Sequence, residues 1–301
     1  MSQPPAAVAA ILGRLVELAR RDPRVVGVVV GGSLSEGRAD PYSDLDLALF
    51  LQDAAMPSFE REWAGWAKQL GRLLLAYVGG VGHPWAVYDA EPLPLRVDFS
   101  LWPASRLEVV SDWPVAPTSV EAMVAYDATG GRLAEKVRPL VGQSLAPSDS
   151  GRAFESACGD FWYYLLRDIG KLERGDRWGT HWELQVVLVG NLLGLLRLEA
   201  GAVGRWRNSG PAHRAGSEVP PERLAEVEAA LPRGLDAGEL RRSLRALAIL
   251  ARRACASLSE RERLAERERW QWPEELADRV DRLLGQGKPE LPGEPTRDEA
   301  R

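Results

Sequence analysis

Residues 28–50 constrain the fold of this chain most strongly, and they read VVVGGSLSEGRADPYSDLDLALF. A β-branched run over residues 24–30 leads into two glycines and a serine, and a polar loop follows. A second apolar run then carries two aspartates one residue apart, in a stretch where polar and apolar residues alternate. Such alternation is typical of a strand with one face against the core. The sequence therefore predicts strands over residues 24–30 and 43–51, joined by a loop over residues 31–42.

The two aspartates of the second run, Asp44 and Asp46, point to one face of the predicted strand, and the intervening leucines point to the other. Neighbouring carboxylates repel each other unless a cation lies between them, and oxygen donors of this kind suit Mg²⁺. The turn Gly31-Gly32-Ser33 directly follows a strand. Glycines there let backbone N–H groups approach a ligand closely, and the serine hydroxyl adds a donor. This chemistry predicts a phosphate group beside a divalent metal ion.

A third carboxylate lies in a second alternating stretch, residues 93–102, which read LPLRVDFSLW. Arg96, Asp98 and Ser100 share one face of this predicted strand, and the apolar residues between them share the other. Asp98 therefore occupies the polar face of an otherwise apolar strand, as the first two aspartates do. Three carboxylates on two strands beside a glycine-serine turn are what metal-assisted nucleotidyl transfer requires.

The remaining pattern separates a strand-containing half from a helical half. Before about residue 147 the sequence predicts a first helix over residues 1–22, a helix over residues 57–78, and strands over residues 85–89 and 123–127. After it, strand patterns disappear, and the predicted helices cover residues 149–174, 179–200, 221–231, 237–270 and 273–285. The predicted fold is an α+β domain over residues 1–147, with a mixed sheet flanked by helices. It is followed by an all-α helical-bundle domain over residues 148–285 and a disordered tail over residues 286–301.

Composition narrows the possible partners. The formal net charge of −5 offers no global basic field for a nucleic-acid backbone, so a polynucleotide partner is disfavoured. The N-terminal apolar stretch has helical spacing and no basic region before it, which predicts a helix and not a signal peptide. No run of about 18 uncharged apolar residues predicts a membrane span. With only two cysteines, Cys158 and Cys255, the chain is predicted to reside in a reducing compartment, the cytoplasm.

The turn Gly31-Gly32-Ser33 and the motif Asp44-Leu45-Asp46 together resemble the signature of the polymerase-β-type nucleotidyltransferase superfamily. Within it, the layout is similar to that of the lincosamide nucleotidyltransferases and the related aminoglycoside adenylyltransferases. The stretch MVAYDATGGRL, and a helix ending LERGDRW followed by one ending LLGLLRLEAG, are similar to stretches of the lincosamide enzymes. The resemblance covers roughly the first 200 residues.

The resemblance implies a role for each residue of the two motifs. Gly32 and Ser33 would contact the nucleotide phosphates, and Asp44 and Asp46 would ligate one or two Mg²⁺ ions. Asp98 would be the third carboxylate, as metal ligand, general base or both. The family transfers AMP, or another nucleoside monophosphate, from the triphosphate to a drug hydroxyl and releases pyrophosphate. Glutamate is common at the second and third carboxylate positions of the lincosamide enzymes, whereas this chain has aspartate at both.

Further candidate residues lie outside the motifs. In the loop before the second strand, Arg38 and Ser43 could reach the triphosphate. In the helical half, the candidate substrate-binding residues are Lys171, Arg174, His181 and Glu183. The first two are three residues apart on one helix face, and the last two flank a tryptophan, an arrangement that could hold a cationic or hydroxylated substrate. For all of these, a surface, loop or core role is the alternative.

Together with these residues, the resemblance implies an adenylyltransferase with ATP or another nucleoside triphosphate as co-substrate. Its acceptor would be a small molecule, an aminoglycoside or lincosamide antibiotic, so the predicted role is antibiotic resistance. The resemblance also implies a possible homodimer. Two alternatives stay open: an antitoxin-type nucleotidyltransferase that AMPylates a protein partner, and a catalytically inactive nucleotide-binding relative.

Overall fold

A computed structural model describes residues 5–80, 82–143, 150–202, 212–264 and 270–285 of the chain. The chain divides into two compact units, Met1–Leu145 and Ala146–Arg301. The first unit contains a mixed sheet flanked by helices, and the described part of the second is mostly helical. The predicted fold class is therefore confirmed. The catalytic and substrate-binding roles predicted for the two halves stay predictions.

The sheet of the first unit, within the described residues, has six strands in the order β3-β4-β5-β2-β1-β6. They are β1 (Val25–Val30), β2 (Leu45–Leu51), β3 (Leu73–Val78), β4 (Pro84–Tyr88), β5 (Leu95–Pro103) and β6 (Val124–Asp127). Strands β2 and β5 are parallel, and the other neighbours are antiparallel. The two strands predicted to carry carboxylates are thus direct neighbours at the centre of the sheet.

Helices cover both faces of this sheet. The helices of the first unit are α1 (Ala6–Arg21), α2 (Gly32–Ser35), α3 (Met56–Ala67), α4 (Val120–Met123) and α5 (Arg132–Val137). Leu47 and Leu49 of β2 face a core shared with α1 and α3, whereas Ala48 and Phe50 face a second core with α5. The predicted alternation therefore holds, and Asp46 lies on the α5 face of β2, opposite the leucines.

The helix predicted over residues 57–78 is wrong in its second half. Helix α3 is followed by a short 3₁₀ turn, Lys68–Leu70, and the chain then forms strand β3. The Leu70 carbonyl accepts a hydrogen bond from Arg14 Nε of α1, and β3 pairs antiparallel with β4. Helical spacing of the apolar residues suggested a continuous helix, but residues 73–78 form a strand because they pair with β4. The predicted loop over residues 31–42 also contains the short helix α2.

The second unit is built from helices around one apolar core. They are α6 (Ser150–Glu173), α7 (Arg177–Glu183), α8 (Val189–Glu199), α9 (Ala215–Glu218), α10 (Pro221–Ala230), α11 (Ala237–Leu264) and α12 (Glu274–Gly285). A π-helical turn, Leu184–Leu188, joins α7 to α8, so the helix predicted over residues 179–200 forms with this irregularity. The core includes Phe161 and Trp162 of α6 and Leu244 of α11. In the part of the chain that the structure describes, no helix is long and apolar enough to cross a membrane.

Two predictions of this half fall wholly or partly outside the described residues. Helix α11 ends at Leu264, and the predicted continuation over residues 265–269 is not among the described positions. The tail over residues 286–301 lies outside them as well.

Candidate active site

The glycine-serine turn lies directly against Asp46. The backbone N–H of Gly31 donates a hydrogen bond to the Asp46 carbonyl at 2.8 Å. Gly32 has φ +57°, and a Cβ built on it would lie 2.0 Å from Asp46 Oδ2. Only glycine combines this left-handed backbone with so close an approach. The turn and the carboxylate therefore form one compact structure, in which Ser33 follows as a half-buried residue of α2.

Asp46 and Asp98 are paired residues on the parallel strands β2 and β5. Burial, followed by repulsion from Asp44 and Asp98, raises the pKa of Asp46 to about 6. Burial is also the largest cause that raises the pKa of Asp98, and repulsion from Asp44 adds to it. Asp44 and Asp98 thus lie close enough to Asp46 to hinder its ionisation, as expected of a group that a cation would stabilise.

Asp44 precedes β2 and is held by Arg96 of β5. The guanidinium Nη2 of Arg96 lies 2.8 Å from Asp44 Oδ2. Sequence analysis placed Arg96 on the same face as Asp98 but assigned it no role in the site. That shared face was the signal that could have identified it, because side chains two residues apart on a strand are neighbours.

The carboxylates supply the hard oxygen donors that Mg²⁺ prefers, and Asp46 and Asp98 lie side by side on adjacent strands. In this respect the residues fit a divalent ion. Among the described residues, however, no three His, Cys, Asp or Glu side chains are already arranged to hold a metal. Asp44 is paired with Arg96, so this carboxylate is directed toward a cation within the chain.

The other two nucleotide-binding candidates are engaged within their own loop. Arg38 Nε lies 3.0 Å from Glu36 Oε2. The Ser43 hydroxyl accepts a hydrogen bond from the Asp40 backbone N–H at 2.9 Å and donates one to the Asp40 carboxylate at 3.1 Å. These contacts order the loop that leads into β2. Contacts of Arg38 and Ser43 with a nucleotide stay predictions.

The structure brings together two of the four substrate-binding candidates of the helical unit. Lys171 Nζ of α6 lies 2.7 Å from Glu183 Oε2 of α7. Arg174 is exposed, and His181 is half-buried. Because Lys171 and Glu183 bind each other in a largely buried position, they support the packing of α6 on α7. A role for these four residues in substrate binding stays a prediction.

The same cluster contains a buried carboxylate that sequence analysis missed, Asp168 of α6. Its side chain is fully buried, and Lys171 Nζ lies 3.7 Å from Oδ1, beyond hydrogen-bond distance. Among the described residues, neither carboxylate oxygen has a geometric hydrogen-bond partner. Burial and the neighbouring Glu183 raise the pKa of Asp168 to about 8. A protonated Asp168 can donate to Glu183, which removes the cost of burying two adjacent charges.

Comparison with known proteins bears on the first unit. Residues 12–78 match the model of a nucleotidyltransferase domain. The matched region contains the glycine-serine turn, Asp44 and Asp46, and it ends before Asp98. No curated protein sequence matches the chain.

Among solved structures, 11 chains match. One is a nucleotidyltransferase-like protein from Exiguobacterium sibiricum, with 17% sequence identity, coverage of 92% of this chain and 88% of that chain, and a TM-score of 0.32. A similarity of this size carries no information on substrate. The domain match, together with the position of the turn against Asp46, supports nucleotidyl transfer in general.

Proposed function

We propose that this chain is a Mg²⁺-dependent nucleotidyltransferase that transfers a nucleoside monophosphate, AMP from ATP, to a hydroxyl group of a small molecule. The acceptor proposed is an aminoglycoside or lincosamide antibiotic. The observation that carries the proposal is the pairing of Asp46 with Asp98 beside the turn at Gly32. The nucleotidyltransferase-domain match over residues 12–78 supports the same reaction class.

In the proposed reaction, the acceptor hydroxyl oxygen forms a bond to the α-phosphorus of the triphosphate. The bond between that phosphorus and the oxygen bridging to the β-phosphate breaks, and pyrophosphate leaves with the bonding electrons. The proton of the hydroxyl passes to a base, the role proposed for Asp98. Asp98 is paired with Asp46 across β5 and β2, so a hydroxyl that approaches the proposed metal site would come close to its carboxylate.

The remaining residues bind and orient the nucleotide. Gly32 and Ser33 would bring backbone N–H groups and a hydroxyl to the phosphates. Asp44, Asp46 and Asp98 would hold the divalent ion, which on binding would offset the negative charge of the triphosphate. Aspartates that repel one another in the free protein become compatible when such a cation is present.

The test is a screen of acceptors with a matched pair of variants. The full chain is incubated with Mg²⁺, each of the common nucleoside triphosphates and a panel of aminoglycosides and lincosamides, and the acceptor mass is measured. One adduct identifies both substrates. We expect Asp44→Ala to abolish transfer and pyrophosphate release. Asp89→Ala, which removes an exposed carboxylate paired with Arg72, should retain both. Transfer by the Asp44→Ala variant would refute the mechanism.

A further inference from the structure

Arg96 is a cation of β5 that faces the candidate carboxylates. It lies on β5 two residues before Asp98, and its Nη2 is 2.8 Å from Asp44 Oδ2. The side chain is 63% exposed, so packing does not lock it in place. An arginine in this position can bind a carboxylate or a phosphate equally well, because its donors match both groups.

The charge of Arg96 acts on the other two aspartates as well. Asp98 is two residues away on the same strand, and Asp46 is the residue of β2 that pairs with Asp98. The guanidinium therefore offsets part of the negative charge of the whole group while no other cation is bound. It thus supplies beside the aspartates the positive charge that a bound metal ion would otherwise supply.

A divalent cation bound by Asp44 would conflict with this arrangement. Two positive charges on one carboxylate repel each other, so the ion and the Arg96 guanidinium compete for Asp44. Because the Arg96 side chain is long and exposed, its guanidinium can move away from Asp44. The nucleotide that binds with the ion brings a new anion, the triphosphate. The Arg96 guanidinium can pair with this anion because Arg96 is two residues from Asp98.

We propose that Arg96 is an exchangeable counter-ion: it holds Asp44 in the nucleotide-free protein and transfers to the triphosphate when the metal–nucleotide complex binds. This inference rests on the proposed function. It assigns to Arg96 two opposite effects, competition with the metal ion alone and attraction of the nucleotide. An arginine that only forms an ion pair with Asp44 would produce the first effect without the second.

The test measures both affinities in the full chain without turnover. Binding of Mn²⁺ alone is followed from the electron paramagnetic resonance signal of the free ion. Binding of an ATP analogue with a non-cleavable bridge between the α- and β-phosphates is followed by calorimetry with Mg²⁺. The variants are Arg96→Ala, Arg96→Lys and the control Arg72→Ala, which removes an exposed arginine with its own carboxylate partner, Asp89, at 2.8 Å.

We expect Arg96→Ala to bind Mn²⁺ roughly threefold more tightly, since an exposed ion pair that competes with the metal is lost. It should bind the nucleotide analogue roughly tenfold more weakly, since a charged hydrogen bond to phosphate is lost. Arg96→Lys should recover part of both effects because it keeps the charge, and Arg72→Ala should match the wild type.

The proposal is overturned if either affinity of Arg96→Ala stays at the wild-type value, or if both change in the same direction. A wild-type chain that binds neither Mn²⁺ nor the analogue would overturn the proposed function and this inference with it. If the wild-type chain binds both ligands and Arg96→Ala binds them equally well, the inference is overturned and the proposed function is not.

Discussion

Replacement of Gly32 by alanine tests how the turn and Asp46 depend on each other. At φ +57° an alanine costs about 1–2 kcal/mol of unfolding free energy, because its Cβ approaches the backbone. The new Cβ would also lie 2.0 Å from Asp46 Oδ2, so the Asp46 side chain must rotate away. A strained rotamer adds roughly 1 kcal/mol. We therefore expect a loss of about 2–3 kcal/mol together with loss of metal binding, because the carboxylate leaves its place beside Asp98.

Gly130→Ala is the matched control for this substitution. Gly130 has φ +74°, and no heavy atom lies within 4 Å of the position that its Cβ would occupy. Its alanine variant should lose only the backbone term of about 1–2 kcal/mol and should bind Mn²⁺ as the wild type does. Urea unfolding measures the first quantity and electron paramagnetic resonance of Mn²⁺ the second. Equal Mn²⁺ affinities for the two variants would refute the argument that Gly32 sets the position of Asp46.

Three further predictions concern single side chains. Asp98→Asn should keep binding of the ATP analogue while pyrophosphate release is lost, and equal loss of both would leave Asp98 a ligand only. Arg24→Ala should lower the free energy of unfolding by roughly 1–3 kcal/mol without changing nucleotide binding, because Arg24 pairs with Asp22 and with Glu62, each at 2.8 Å. An Arg24→Ala variant with the wild-type free energy of unfolding in urea would contradict this prediction. Asp168 keeps its proton up to a pH of about 8 in the folded chain but only to about 3.8 when unfolded. The folded state therefore binds more protons between these values, and stability should fall as pH rises through them, by on the order of a few kcal/mol. Asp168→Asn should flatten this slope in urea titrations at several pH values, and an unchanged slope would show that Asp168 is not its source.

Sequence reasoning failed where a residue's state depends on a distant partner. Residues 73–78 are apolar enough for a helix or a strand, and only β4 decides for the strand. Cys158 and Cys255 are 97 residues apart in sequence, yet their Sγ atoms lie 3.5 Å apart in the core of the helical unit as free cysteines. Spacing along the chain carries no information on such a contact.

Asp168 shows the same limit within a single helix. It follows Arg167 in α6, where a carboxylate would be expected to face solvent or a basic partner. In the folded chain α7 brings Glu183 close to it, so two acids and Lys171 share one buried cluster. Helical periodicity predicted α6 well. The same periodicity does not identify which side chains of α7 pack against α6.

By itself, the sequence determined the α+β order of the elements, the glycine turn after β1 and the shared face of Asp46 and Asp98 with their strand neighbours. These features follow from the two-residue period of a strand and the backbone freedom of glycine, which are local properties of the chain. Only the tertiary structure decided that β5 lies parallel beside β2, that Asp46 is paired with Asp98, and that Arg96 reaches Asp44 from 52 residues away. The physical reason is that strand order and register arise from packing of the whole sheet, and no short stretch of sequence contains that information.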